Sequence, residues 1–300
     1  MRWEDFRGSD NIEDRRGEGG GGMGFPGGGA GGLGIGTIVI LCIIGWVTGI
    51  NPAILIGGAE QMSGGRQPRE ERVDPDTQAK RRAPPTDQTG QFASKILGNT
   101  EDVWTKILPD QTGKSYRPTT MVLYSGGTRS GCGSAQAAMG PFYCPLDKKV
   151  YLDTSFFQEM ARKFNVRGDF AYAYVIAHEV GHHVQDVLGI LGKVQARQQA
   201  AGKTEANHLS VRVELMADCL AGVWAKNSND RWNAIDQSDV QEAIKAAEAI
   251  GDDKLQQQSQ GYVVPDSFTH GSSEQRVRWF MTGFRSGQTR SCDTFRSASN

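Results

Sequence analysis

Residues 169–188 read DFAYAYVIAHEVGHHVQDVL. The pattern predicts one helix, with Asp169 capping its start and Gly189 marking its end. Residues four apart share a helix face, so His178 and His182 can present their imidazoles to a single metal ion. Glu179, one residue on, stands at the edge of that face. From there it can take a proton from a water at the metal without being a ligand itself. His183 lies about 140° round the helix from His178 by the 3.6-residue period and is not expected to be a ligand.

A catalytic zinc needs a third protein ligand and an open fourth position. A third histidine six residues after His182 is ruled out, because Leu188 stands there. A second helical stretch, SVRVELMADCLAGVWA at 210–225, offers Glu214 and Asp218 four residues apart on one face. Small residues (Ala217, Ala221, Gly222) suit a close approach to the first helix. Glu214 is therefore the expected third ligand. Asp218 is expected to orient a ligating histidine through its distal N–H. Glu205 and His208 are rivals for the third ligand, nearer the helix start where exposure is expected. His270, in the loop SFTHGSS, is the candidate for stabilising an oxyanion, ahead of Tyr262 and Arg278. The strand around Lys149–Asp153 is a candidate cleft edge for an extended peptide.

The pieces VIAHEVGHHVQ, ELMADCLAGVWA, GCGSAQAAMGPFYCPLDKKVYLD, THGSSEQR and MRWEDFRGSDNIEDRRG together resemble the bacterial neutral zinc metallopeptidase family, of glutamate-zincin type with HExxH and ExxxD. The resemblance covers nearly the whole chain. It implies a zincin-like fold, a single-pass membrane protein and peptidase activity with one catalytic Zn2+. It carries over His178, Glu179, His182 and Glu214. It does not name a substrate beyond peptide or protein. A non-catalytic, membrane-anchored zinc-binding interaction module is the alternative reading, and a zinc hydrolase of another amide is a third. An intact Glu179 argues for catalysis, since a structural site needs no general base and tends to close its fourth position.

The rest of the chain frames this site. Between Glu18 and Glu60 there is no charged residue, and Leu33–Ile56 reads LGIGTIVILCIIGWVTGINPAILI. That run is long enough to cross a bilayer core. The expected organisation is a flexible polar and Gly-rich tail over 1–32, a transmembrane helix over 33–56, a linker over 57–89 and the metallopeptidase domain over 90–300. The fold class expected is α+β, mainly helical, with a small sheet preceding the motif helix. Strands are predicted near 119–124 and 142–153, and helices near 154–164, 208–226, 239–250 and 273–285. Ser238 with Gln241, and Ser272 with Gln275, have the spacing of capping boxes.

Net charge is −1, from 33 basic and 34 acidic residues, and no basic block is present. Nucleic acid is thereby excluded as a partner. The bases flanking the apolar run are nearly balanced and do not orient it. Cys42 lies inside that run, leaving Cys132, Cys144, Cys219 and Cys292. Four cysteines allow three pairings, of which Cys132–Cys144 with Cys219–Cys292 is the one suggested; two disulfides in any pairing place the domain on the extracytoplasmic side of a bacterial cytoplasmic membrane.

Overall fold

Alternating and helical apolar patterns build two layers, a small sheet and a thicker body of helices. The computed structural model describes residues 1–17, 75–136 and 140–296. Element order is β1 (Ile12–Asp14), α1 (Pro75–Arg81), α2 (Gln88–Thr112), β2 (Thr120–Tyr124), β3 (Gly127–Ser130), β4 (Gly133–Gln136), β5 (Phe142–Cys144) and β6 (Lys149–Asp153). The helices α3 (Phe156–Lys163), α4 (Asp169–Val187), α5 (Ile190–Ala200), α6 (Lys203–Trp232), α7 (Gln237–Ala249), α8 (Asp252–Gln260) and α9 (Ser273–Ser286) complete it. The chain is mainly helical with a small sheet, as expected for the α+β class.

The sheet runs β1-β2-β6-β5, with β1, β2 and β6 parallel and β5 antiparallel. Its register sets Ile12 beside Met121, and Met121 beside Val150. Side chains alternate faces along a strand. Met121, Leu123, Val150, Leu152 and Tyr143 therefore enter the helical core. Val122, Tyr124, Tyr151 and Cys144 point the other way and meet Ala135 of the β3–β4 hairpin. The Cys132–Cys144 disulfide staples that hairpin to β5, and Cys219–Cys292 ties α6 to the C-terminal segment. Of the three pairings that the sequence allows, the fold takes the one suggested.

Several expectations need correction. Residues 142–153 form two strands, because the chain turns at Pro145–Lys148, where Lys148 takes φ 58. The Gly/Ser/Ala-rich connection holds a hairpin of its own. β6 is interior, paired with β2 on one side and β5 on the other, so Lys149–Asp153 offers no free edge. Asp169 does not cap α4. Its carboxylate accepts from the Trp3 indole at 2.8 Å, and Glu242 of α7 accepts from the Phe170 N–H at 3.1 Å instead. The capping box of α7 is Asp236 with Asp239 rather than Ser238 with Gln241, while Ser272 and Gln275 do form theirs on α9.

The expected tail fails for residues 1–17, which belong to the fold. Trp3, Phe6 and Ile12 are buried, and Trp3 meets Phe92 edge-on at 5.3 Å. Glu101, itself buried, accepts from Arg7, Ser9 and Asn11. This has a topological consequence. A single crossing by 33–56 would put β1 and β2 on opposite sides of a bilayer, yet the two strands are paired. The paired strands join residues 1–17 and the helical body in one folded unit, which is at odds with the single-pass arrangement expected for 33–56. The apolar run itself lies outside the described residues, among which no helix is long and apolar enough to cross a membrane.

The helical layer centres on α4, which packs against α2, α6 and α7, while α6 also runs along α9. The two contacts of α6 are backbone-close, each at a glycine of the neighbouring helix. Against α4, a Cβ on Gly181 would stand 3.0 Å from the Ala217 carbonyl oxygen. Against α9, a Cβ on Gly283 would stand 1.9 Å from that of Cys219. Gly222, expected to admit α4, in fact faces Phe280 and Phe284 of α9.

Candidate metal centre

Helical phase and the close α4–α6 contact bring three donors together. His178 and His182, one turn apart on α4, hold their ring centroids 4.8 Å apart and nearly perpendicular. Glu214 reaches them from α6, with Oε2 at 3.1 Å from His178 Nε2 and Oε1 at 3.4 Å from His182 Nε2. Ligand atoms of all three lie within 4.8 Å of one another.

The far nitrogens of both rings are anchored. His178 Nδ1–H donates to Asp218 Oδ1 at 2.8 Å, and His182 Nδ1–H donates to Gln185 Oε1 at 3.0 Å. Gln185 is fixed in turn by donating its amide to the Val213 carbonyl at 2.7 Å. Each ring therefore turns Nε2 toward Glu214. Two imidazoles with oriented Nε2 atoms and one carboxylate are a donor set that suits zinc.

Asp218 is fully buried and heavily bonded. Arg276 of α9 grips it through Nε at 2.9 Å and Nη2 at 3.0 Å, and the Tyr174 hydroxyl donates to it as well. Burial alone would raise the Asp218 carboxyl, but the Arg276 and His178 charges hold it below its ordinary value. Burial likewise opposes ionisation of Glu214, and the facing imidazoles more than offset this, holding it well below the carboxylate range. Burial would lower His178, yet Asp218 and Glu214 raise it to about 10. Glu179, 8 % exposed, goes the other way: burial pushes its carboxyl up, with the two histidines pulling it partly back. A carboxyl shifted toward neutrality beside a metal-type cluster is suited to proton transfer.

The remaining sequence candidates separate cleanly. His183 is buried away from the cluster, donating Nε2–H to the Arg117 carbonyl at 2.6 Å. Glu205 and His208 are exposed on the first turns of α6, outside the cluster. Tyr262 is 61 % exposed, and Arg278 points outward on α9. His270 sits in a built loop. Asp252 Oδ2 accepts the backbone N–H groups of Thr269, His270 and Gly271, while Oδ1 takes His270 Nδ1–H at 3.1 Å. Gly271 rests against Leu215 and Val211 of α6, which brings the loop beside Glu214. Desolvation opposes charging of His270, though half of its side chain is exposed, and Asp252 and Glu214 together raise it above its ordinary value.

The family described as putative neutral zinc metallopeptidase matches residues 1–295. The chain belongs to this family. An uncharacterized protein of Escherichia coli strain K12, YpfJ, is 49% identical over 296 residues, covering 98% of this chain and 99% of the relative. Uncharacterized proteins of Mycobacterium bovis and Mycobacterium tuberculosis are 42% identical over 229 residues, covering 70% of this chain and 75% of theirs. No solved structure matches. The family supports a zinc-dependent hydrolase of peptide bonds at a coarse level, and the His178–His182–Glu214 cluster can hold the metal ion that its description implies.

Sequence reasoning missed Arg276, Tyr174, Gln185 and Asp252. Arg276 had a signal. It falls in register with Trp279, Phe280 and Gly283, the buried stripe of α9. A charge on an apolar stripe implies a buried partner. Tyr174 is one turn before His178 and had the same kind of signal. Gln185 and Asp252 had none that local pattern could supply.

Proposed function

We propose that this protein is a zinc-dependent metallopeptidase that hydrolyses peptide bonds, with His178, His182 and Glu214 holding the ion and Glu179 as general base. The observation that carries it is the convergence of the three donors beside a buried Glu179 carboxylate. When bound, zinc supplies Lewis acidity and lowers the pKa of water toward ~7. Glu179 takes the proton of the attacking water at its carboxylate and returns it to the leaving amine nitrogen. His270, whose charged form Asp252 favours while taking its Nδ1–H, has Nε2–H left to stabilise charge developing on the substrate carbonyl oxygen.

Asp218 and Gln185 keep both ligand rings in the tautomer that offers Nε2. The two disulfides support an extracytoplasmic setting for the domain, and the 33–56 run supports attachment to the bacterial cytoplasmic membrane.

The test compares wild type with Glu179→Gln on a broad peptide library, with zinc content measured on both. Zinc should bind both equally, and cleavage by the variant should fall by about 10²–10⁴-fold. Zinc-replete wild type without cleavage of any peptide would favour the non-catalytic module.

A further inference from the structure

Among the described residues, the large apolar side chains left exposed are Leu146 and three in a row, Tyr262, Val263 and Val264, between α8 and α9. Scattered exposed apolar residues are ordinary, whereas a contiguous run marks a contact surface. The run is held in place. Buried Gln256 of α8 accepts the Val264 N–H at 2.8 Å and donates its amide to Ser267 Oγ at 2.9 Å. Buried Asn207 of α6 donates to the Asp266 carbonyl at 2.9 Å. Asp252 takes the N–H groups of Thr269, His270 and Gly271 further on. A segment tied on this many sides is a wall rather than a lid.

Its course leads to the metal cluster. Asn207, Val211 and Glu214 recur at helical spacing along one stripe of α6. The loop follows that stripe, with Asp266 at Asn207 and Gly271 against Val211. Asn207 and Glu214 are two turns apart, about 10 Å along the axis. Val264, two residues before Asp266, has extended backbone at φ −125 and ψ 91. Neither the N–H nor the C=O of Val263 is hydrogen-bonded among the described residues. Extended main chain with an open donor and acceptor, flanked by apolar side chains, suits pairing with an extended peptide. Residues 255–269 hold no base and one acid, Asp266, which disfavours an anionic lipid surface.

We propose that Tyr262, Val263 and Val264 form a specificity wall that takes an apolar side chain of an extended substrate peptide. This rests on the peptidase reading above. Extended chain advances about 3.3 Å per residue, so the selected side chain stands roughly three to five residues from the cleaved bond. Val263 pairs there with the main chain of the peptide, and Tyr262 and Val264 cover the apolar side chain.

The test compares the zinc-loaded full chain with a Tyr262→Ser, Val264→Ser double variant on a degenerate peptide library, with the products sequenced. Wild type should select Leu, Ile, Val, Phe or Tyr at one position in that window, and the variant should lose the selection. On a single peptide with Leu at that position, kcat/KM of the variant should fall about tenfold, mostly through KM. With Asn there instead, the two proteins should cleave equally, which a misfolded variant would not. Unchanged selection in the variant would overturn the wall, and so would an equal loss on the Leu and Asn peptides. Unchanged selection with weaker flotation of the variant on phosphatidylglycerol vesicles would make the run a lipid contact instead. Wild type inert on the whole library would overturn the peptidase reading, and the wall with it.

Discussion

Arg276 takes a guanidinium into the helical interior and closes it on Asp218, with both groups buried. Removing one partner of such a pair leaves the other charged and unpaired in a poorly solvating place. Arg276→Met should therefore cost about 3–5 kcal/mol in denaturant unfolding. Adding Asp218→Asn should recover part of the loss, because the stranded charge disappears. An unchanged unfolding midpoint in the single variant would refute the pairing as the source of stability. The loop residue His270 makes a pH-dependent prediction. Asp252 is held below its ordinary 3.8, so its contribution exists above that value and is lost as pH falls through the depressed one. His270 is raised above 6.5, so its contribution is complete below 6.5 and lost as pH rises through the raised value. The melting-temperature gap between wild type and Asp252→Asn should thus be widest between pH 3.8 and 6.5 and shrink on both sides. A gap that is flat with pH would mean the two groups do not titrate as a pair. At this scale much of the site was legible, since His178, Glu179, His182, Glu214 and Asp218 follow from two spacings of four on helices. Asp252 was not. It stands 18 residues from His270, and three of its four bonds go to backbone N–H groups, which leave no trace in residue type.

The elements holding these residues are set by backbone contact as much as by apolar stripes. α9 crosses α6 so closely that Gly283 has no room for a methyl group, its virtual Cβ meeting main-chain atoms of Cys219 and Val223. Main chain cannot swing aside like a side-chain tip, so Gly283→Ala must push the helices apart. It should cost about 1–3 kcal/mol or more in chemical denaturation and loosen the Arg276–Asp218 contact with it. Gly192→Ala is the control. That glycine is inside α5 with nothing within 4 Å of its virtual Cβ. The change should be neutral or stabilising by roughly 0.5–1 kcal/mol. Equal losses at both positions would remove the packing explanation. The helices α4, α6 and α9 were readable from periodicity and punctuation. The misses have physical causes. α5 and α8 are short and mostly polar, and the β3–β4 hairpin is read as a loop from its Gly and Ser content. No local pattern told that β6 would be paired on both sides, because edge or interior position is a property of the sheet, not of the strand.

At the scale of the whole molecule, three residues of β1 outweigh the longest apolar run in their bearing on topology. Ile12–Asp14 reads IED, too short and too charged to announce a strand, and its role appears only once β2 is beside it. The run at 33–56 is obvious in the sequence, yet how it lies depends on where its flanks end up. Trp3 against Phe92, the three donors on Glu101 and the Arg16–Asp87 bridge all fasten the first 17 residues to the body that carries the metal cluster. Undoing that set to let a single span cross would expose Trp3, Phe6 and Ile12 and strand the buried Glu101 carboxylate without its donors. A same-side arrangement demands no such loss. It can be checked with one cysteine at a time on exposed positions, Glu4→Cys before the apolar run and Lys245→Cys after it, using a membrane-impermeant maleimide on intact cells. Both positions should label, or both should be protected until the cells are opened. Labelling of one without the other would mean that β1 and β2 are separated by the bilayer in the cell, and that the paired sheet is not the membrane-bound form.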